Sequence, residues 1–231
     1  MFVVFIRIVA VNDMLAQKDG RISITEILEQ RCSQGLGQVR MFIEGAPGVG
    51  KSTFTQKLVW EWAMETPCIH HLSEYKLVLL IPANKIKYQS TFIDYLCDEL
   101  LPANMKSHLI TLLDDVDIQK HTLFIIDGYD ELKSNCVDSL QRLLNGPQYI
   151  HCSIMVTSRP GQLSNIEQLF DYTHRFLIAG LQVEKLDEFM GKILEPSMIT
   201  AIGKQVKQSP LATNPLCFGL ICIAYQSKDK I

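Results

Sequence analysis

The chain has 231 residues, 47% of them hydrophobic and 20% charged, with a net charge of −3. That composition predicts a globular protein with a sizeable core and excludes a disordered one, and its acidic balance excludes a general nucleic-acid or membrane-surface binder, which needs a basic face. Seven cysteines with no C-x-x-C pair argue against a disulfide framework or zinc ribbon and suit a reducing, cytoplasmic setting.

Residues 1–11 are apolar except for Arg7. The stretch is about half the ~20 residues of a membrane-spanning helix, and it lacks the basic start of a signal peptide. It reads as a terminal strand or helix. Lys18-Asp19-Gly20 is a turn, and Ser23 with Glu26 forms a capping box for a short helix carrying Ile24, Ile27 and Leu28 on one face. Residues 1–34 are thus an N-terminal segment with one short helix.

Val39, Met41, Phe42 and Ile43 then read as a buried strand. It runs into Gly45-Ala46-Pro47-Gly48-Val49-Gly50-Lys51-Ser52-Thr53, which matches the phosphate-binding pattern G-x-x-x-x-G-K-[ST] at every fixed position. The glycines let the backbone wrap an anion, with N–H groups pointing inward. A helix starting at Lys51 adds its positive dipole end. Lys51 supplies a charge for the β/γ-phosphates, and the Ser52 hydroxyl can ligate magnesium. Phe54, Leu58 and Trp62 follow as one apolar helical stripe, which completes the strand–loop–helix context. Cys68, His70 and His71 form a local cluster that lacks a fourth metal ligand and reads as a surface loop.

Residues 77–81 are an apolar run ended by Pro82. Residues 91–101 are helical by pattern, with Phe92, Leu96 and Leu100 stacked, and Leu109, Ile110, Leu112, Leu113 and Val116 suggest one further helix. Residues 123–126 form a second buried run that ends in Asp127, which the strand carries to the carboxyl edge of the sheet to hold magnesium. Gly128 permits a sharp turn, after which Asp130 or Glu131 can polarise an attacking water as general base. Val137, Leu140, Leu143 and Leu144 mark a helix. Residues 154–156 form a third run, followed by Thr157-Ser158-Arg159-Pro160, where Arg159 can reach the γ-phosphate and report its loss. Residues 176–179 are a fourth run.

Unbroken apolar strands alternating with helices predict an α/β fold with a parallel sheet covered on both faces. Beyond Gly180 the pattern is helical only. Val183, Leu186, Met190 and Ile193 share a face, Met198, Ile202 and Val206 mark a second helix, and residues 216–225 a third. The expected division is a nucleotide-binding domain over 35–181 and a small helical satellite over 182–231.

The glycine loop, the Asp127-Gly128-Tyr129-Asp130-Glu131-Leu132 run, Thr157-Ser158-Arg159-Pro160 and Trp60-Glu61-Trp62-Ala63 together resemble the NACHT domain, the nucleotide-binding module of NOD-like receptors within the signal-transducing (STAND) branch of P-loop ATPases. The resemblance spans residues 39–225. It implies a three-layer P-loop NTPase with a five-stranded parallel sheet in the order 5-1-4-3-2. It also implies ATP or ADP with Mg²⁺ as cofactors, metal contacts from Ser52 and Asp127, Asp130 at the water-activating position, and Arg159 as first sensor. Pro215 would contact adenine from the satellite, although Thr213-Asn214-Pro215 departs from the family's Gly-x-Pro. The implied function is a nucleotide-dependent switch in innate-immune or cell-death signalling with slow ATP hydrolysis, and the alternative is a truncated nucleotide-binding scaffold without turnover.

GTP is disfavoured, because Asn84-Lys85-Ile86-Lys87 places Lys87 where N-K-x-D needs its aspartate. The family's winged-helix, repeat and effector domains are not expected within this chain, so self-association would be weak. Neither a nucleic-acid nor a membrane partner is expected.

Overall fold

Met41, Phe42 and Ile43 are all fully buried, although consecutive strand residues point to opposite faces. A strand with no wet face lies inside a sheet covered on both sides. The computed structural model describes residues 6–10, 38–64, 70–86, 92–99, 101–172, 174–209 and 211–228. Its strands are β1 (Ile6–Ala10), β2 (Arg40–Gly45), β3 (Leu77–Pro82), β4 (Thr122–Asp127), β5 (Ser153–Ser158) and β6 (His174–Leu181). They form one sheet in the order β1-β6-β2-β5-β4-β3. Strands β2 to β6 are mutually parallel. With β2 counted as first, their order is the expected 5-1-4-3-2.

Strand β1 adds a sixth, antiparallel member. It pairs Ile6 with Leu181 and Ala10 with Phe176, covering the edge that β6 would otherwise expose. Within the apolar N-terminal stretch, open between strand and helix on pattern alone, the described residues 6–10 are a strand.

The helices are α1 (Lys51–Ala63), α2 (Phe92–Glu99), α3 (Lys106–Asp114), α4 (Val116–Lys120), α5 (Val137–Asn145), α6 (Leu163–Leu169), α7 (Leu186–Ile193), α8 (Pro196–Gln208) and α9 (Pro215–Lys228). On one sheet face, Met41, Ile43, Leu123, Ile125 and Met155 pack with Phe54 and Leu58 of α1. On the other, Phe42, Phe124, Ile126, Ile154 and Val156 pack with Leu96 of α2, Leu113 of α3, Leu143 of α5 and Ile166 of α6. The period-2 alternation sorts each strand's side chains between these two layers. A third cluster joins Leu186 and Met190 of α7, Val206 of α8, and Phe218 and Cys222 of α9, with Leu181 at the end of β6.

Two helical readings change. The single helix expected through Leu109 and Val116 is split at Asp115, which has extended backbone. Its Oδ1 accepts from Asp117 N (2.8 Å) and Ile118 N (3.4 Å), capping α4 and ending α3. Helix α6 went unread, because its seven residues are too few to establish a period. The Ser23–Glu26 capping box, the turn at Lys18 and Cys68 lie outside the described residues, as do the side chains of His70 and His71.

Candidate nucleotide site

Strand β2 is flanked by β5 on one side and β6 on the other, and the loop after it opens at the carboxyl edge where α/β sheets bind ligands. Gly48 and Gly50 take φ of 72° and 102°, in the left-handed region that favours glycine. Gly45 is needed for space instead. A Cβ there would lie 2.7 Å from Val49 Cγ1 and 3.3 Å from Ile178 Cβ. Gly50 occupies the N-cap of α1, so no side chain caps that end, and the first turn holds no acidic residue. The positive end of α1 therefore faces the loop unneutralised by its own sequence.

Lys51 folds back over the loop, its Nζ donating to Gly45 O (2.7 Å) and Ala46 O (3.2 Å). Burial lowers the pKa of this ammonium. Asp130 opposes that, Arg159 adds to it, and Asp127 and Glu131 oppose it more weakly. All four predicted charged residues thus lie within the electrostatic reach of Lys51. Ser52 and Thr53 are exposed on the first turn of α1.

The acidic turn is held by side chains. Register places Ile126 beside Val156, so the end of β4 adjoins Thr157 of β5. Thr157 Oγ1 donates to Asp127 Oδ1 (2.7 Å) and accepts from Gly128 N (2.9 Å). Asp130 is almost wholly buried, with 8% of its side chain exposed, and both of its carboxylate oxygens are engaged. Oδ1 accepts from Arg159 N (2.9 Å) and Ser158 Oγ (3.4 Å), and Oδ2 pairs with Arg159 Nε (2.9 Å). Glu131 is more open, with Oε1 3.8 Å from Arg159 Nη2 and Oε2 accepting from Asn84 Nδ2 at 2.8 Å.

Pro215 is the first residue of α9, and its neighbours touch the phosphate loop. Asn214 Nδ2 donates to Pro47 O (2.9 Å), while Leu216 N donates to Gly48 O (3.3 Å). Sequence reasoning marked Thr213 as the departure from Gly-x-Pro and gave Asn214, at the variable position, no role. The available signal was an N-cap residue directly before a proline at the first helical position. It also missed the ion pair of Glu44 on β2 with Arg175 on β6, where Arg175 Nε donates to Glu44 Oε2 at 2.9 Å just before the loop. Glu44 is buried, and a charged residue closing an apolar strand was the cue.

The residues fit a nucleotide with magnesium. Glycine allows the left-handed backbone at Gly48 and Gly50 and the close packing around Gly45 and Gly48, and Ser52 and Asp127 offer hard oxygen donors. Among the described residues, no group of three or more His, Cys, Asp or Glu gathers to hold a metal. A sparse oxygen set completed by phosphates and water suits magnesium. Also among the described residues, no helix is long and apolar enough to cross a membrane.

The NACHT domain family model matches residues 39–196. The chain is 23% identical over 207 residues to NLR family CARD domain-containing protein 4 of Xenopus tropicalis, covering 87% of this chain and 19% of that protein. It is 25% identical over 155 residues to NACHT, LRR and PYD domains-containing protein 10 of Mus musculus, covering 64% of this chain and 21% of that protein. The chain therefore spans about a fifth of the length of these curated relatives. Among solved structures it is similar to Cdc6p of Pyrobaculum aerophilum, with TM-score 0.57 and 14% identity over 89% of this chain and 62% of that one. The ADP form of the Aeropyrum pernix ORC2 protein gives TM-score 0.57 and 16% identity over 89% of this chain and 62% of that chain. These structures share the P-loop NTPase fold with this chain. With the family model matching well over half its length, the chain belongs to the NACHT domain family.

Proposed function

We propose that this chain is an ATP-binding signalling NTPase of NOD-like receptor type, a cytoplasmic nucleotide-dependent switch in innate-immune or cell-death signalling that hydrolyses ATP slowly. The observation that carries the reading is the convergence of Lys51, Asp127, Asp130 and Arg159 on one sheet edge. The curated relatives are named as NLR and NACHT proteins, and one similar fold was solved in an ADP form. They support the adenine nucleotide and the signalling role.

Each residue has a task. The loop amides of residues 45–53 and the start of α1 bind the phosphates. Lys51 exchanges the Gly45 and Ala46 carbonyls for the β- and γ-phosphates. Ser52 and Asp127 would hold magnesium, which neutralises charge on the transferring phosphoryl group. Thr157 fixes the carboxylate of Asp127. Arg159 leaves Asp130 for the γ-phosphate, which senses that group and frees Asp130 Oδ2 to take the proton of the attacking water. Glu131 is the alternative base. Pro215 flanks the adenine, so one ligand bridges a nucleotide-binding domain over 35–181 and a satellite over 182–231. Losing the γ-phosphate then changes the contacts on one body only, the differential contact that a population shift requires.

Thermal unfolding tests the reading. At 100 times its dissociation constant, Mg–ATP stabilises the fold by about 2.7 kcal/mol, GTP does less, and Lys51→Ala removes most of the shift. Equal melting points with and without ATP would reject nucleotide binding.

A nucleotide-binding scaffold without turnover is the second reading, favoured by the engagement of both Asp130 oxygens with the 158–159 segment. Phosphate release under saturating ATP separates the two. Binding without release supports the scaffold.

A further inference from the structure

The segment 213–216 is stitched to the nucleotide-binding body at three points, the last of them Leu216 N donating to Gly48 O at 3.3 Å. Leu181 N, at the end of β6, donates to Thr213 O at 2.7 Å. The fit leaves no room for a side chain, because a Cβ on Gly180 would lie 2.1 Å from Thr213 O, and Gly180 sits at φ 95°. The second stitch is Asn214. Its Oδ1 accepts from Leu216 N (3.1 Å) and Cys217 N (3.2 Å), capping α9. Its Nδ2 donates to Pro47 O in the phosphate loop (2.9 Å). Gly48 is close by, since a Cβ there would meet Leu216 Cβ at 2.9 Å and Asn214 Oδ1 at 3.1 Å.

The bond to Pro47 O has a consequence for the loop amides. A trans peptide is planar, and its C=O and N–H point in opposite directions. Holding the Pro47 carbonyl toward α9 therefore turns the Gly48 N–H away from α9. That amide makes no hydrogen bond among the described residues, which leaves it available to an anion. One amide side chain thus caps a satellite helix with its oxygen and orients a phosphate-loop peptide with its nitrogen.

We propose that Asn214 is a positioning residue for the phosphate loop, so that phosphate affinity depends on how α9 is seated. The idea rests on the nucleotide-binding reading above and adds the element that controls the site. Because coupling between two sites is reciprocal, bound phosphate in turn tightens the seating of α9 on the loop.

Asn214→Ser tests this, since serine keeps a capping oxygen and loses the amide donor. In nucleotide-free protein, hydrogen exchange in peptides covering residues 45–53 speeds up in the variant, while the melting temperature stays near that of the wild type. Titration with Mg–ADP and with inorganic tripolyphosphate, which has no base, then gives about 10-fold weaker binding for both, within the usual range of such couplings. Gly180→Ala, which displaces Thr213 and leaves the amide intact, shifts exchange in the same direction. Unchanged exchange in residues 45–53 of Asn214→Ser overturns the proposal. So does a loss confined to ADP, which would make Asn214 a base or ribose contact. If wild-type protein binds neither probe, the nucleotide reading fails, and the exchange experiment still decides whether Asn214 holds the loop.

Discussion

The phosphate loop and the acidic turn share one sheet edge and are built in opposite ways. The loop owes its shape to backbone. Gly48 and Gly50 hold positive φ, Gly45 has no room for a Cβ, and α1 begins without a side-chain cap. The turn owes its shape to side chains from three separate strands and loops. Thr157 ties Asp127 to Gly128, the 158–159 segment takes both oxygens of Asp130, and Asn84 reaches Glu131. The difference teaches where each job resides. On the proposed reading, the backbone cradle takes the phosphates and is restrained from α9 through Asn214, while the side-chain network of the turn can exchange partners when a γ-phosphate arrives or leaves.

Substitutions can break or sharpen that contrast. The largest expected effect is on chemistry. Asp130→Asn keeps ATP affinity and cuts turnover by about 10²-fold or more, the usual weight of a general base. Wild-type turnover in a phosphate-release assay would move the base to Glu131.

Next comes Gly45→Ala. Its methyl meets Val49 Cγ1 at 2.7 Å and destabilises the fold by about 1–3 kcal/mol in urea unfolding, with loss of nucleotide binding, because overpacking forces backbone to shift. A neutral result would mean that the loop is more compliant than its packing implies. Thr157→Val removes one hydroxyl of nearly equal volume and leaves Asp127 Oδ1 and the buried Gly128 N–H unpaired. The expected loss is about 2 kcal/mol, with a weaker magnesium dependence of ATP binding.

The smallest effect is Gly128→Ala. Its φ is +76°, but the nearest atom to an added Cβ is Glu131 Cδ at 3.5 Å, so only the backbone term of about 1–2 kcal/mol applies. If Gly128→Ala proves costlier than Gly45→Ala in the same urea series, the assignment of backbone to the loop and side chains to the turn is wrong.

Sequence alone determined the elements whose physics is local. A run such as Leu123-Phe124-Ile125-Ile126 must be buried on both faces, and the glycine-rich loop followed by Lys51 and Ser52 carries its own geometry in the allowed φ of glycine. The strand order came from the family resemblance, because hydrophobic period does not specify which strands are neighbours. The cap at Asp115 escaped pattern reading because its side chain competes with the helix over only three residues. Tertiary structure decided the rest. The Asp130–Arg159 pair, separated by 29 residues, and the Asn214–Pro47 bond, separated by 167, exist only because parallel strands bring their carboxyl ends to one edge and α9 returns to it. Charge and hydrogen-bond partners at such distances depend on register and crossover, which no local window of sequence encodes.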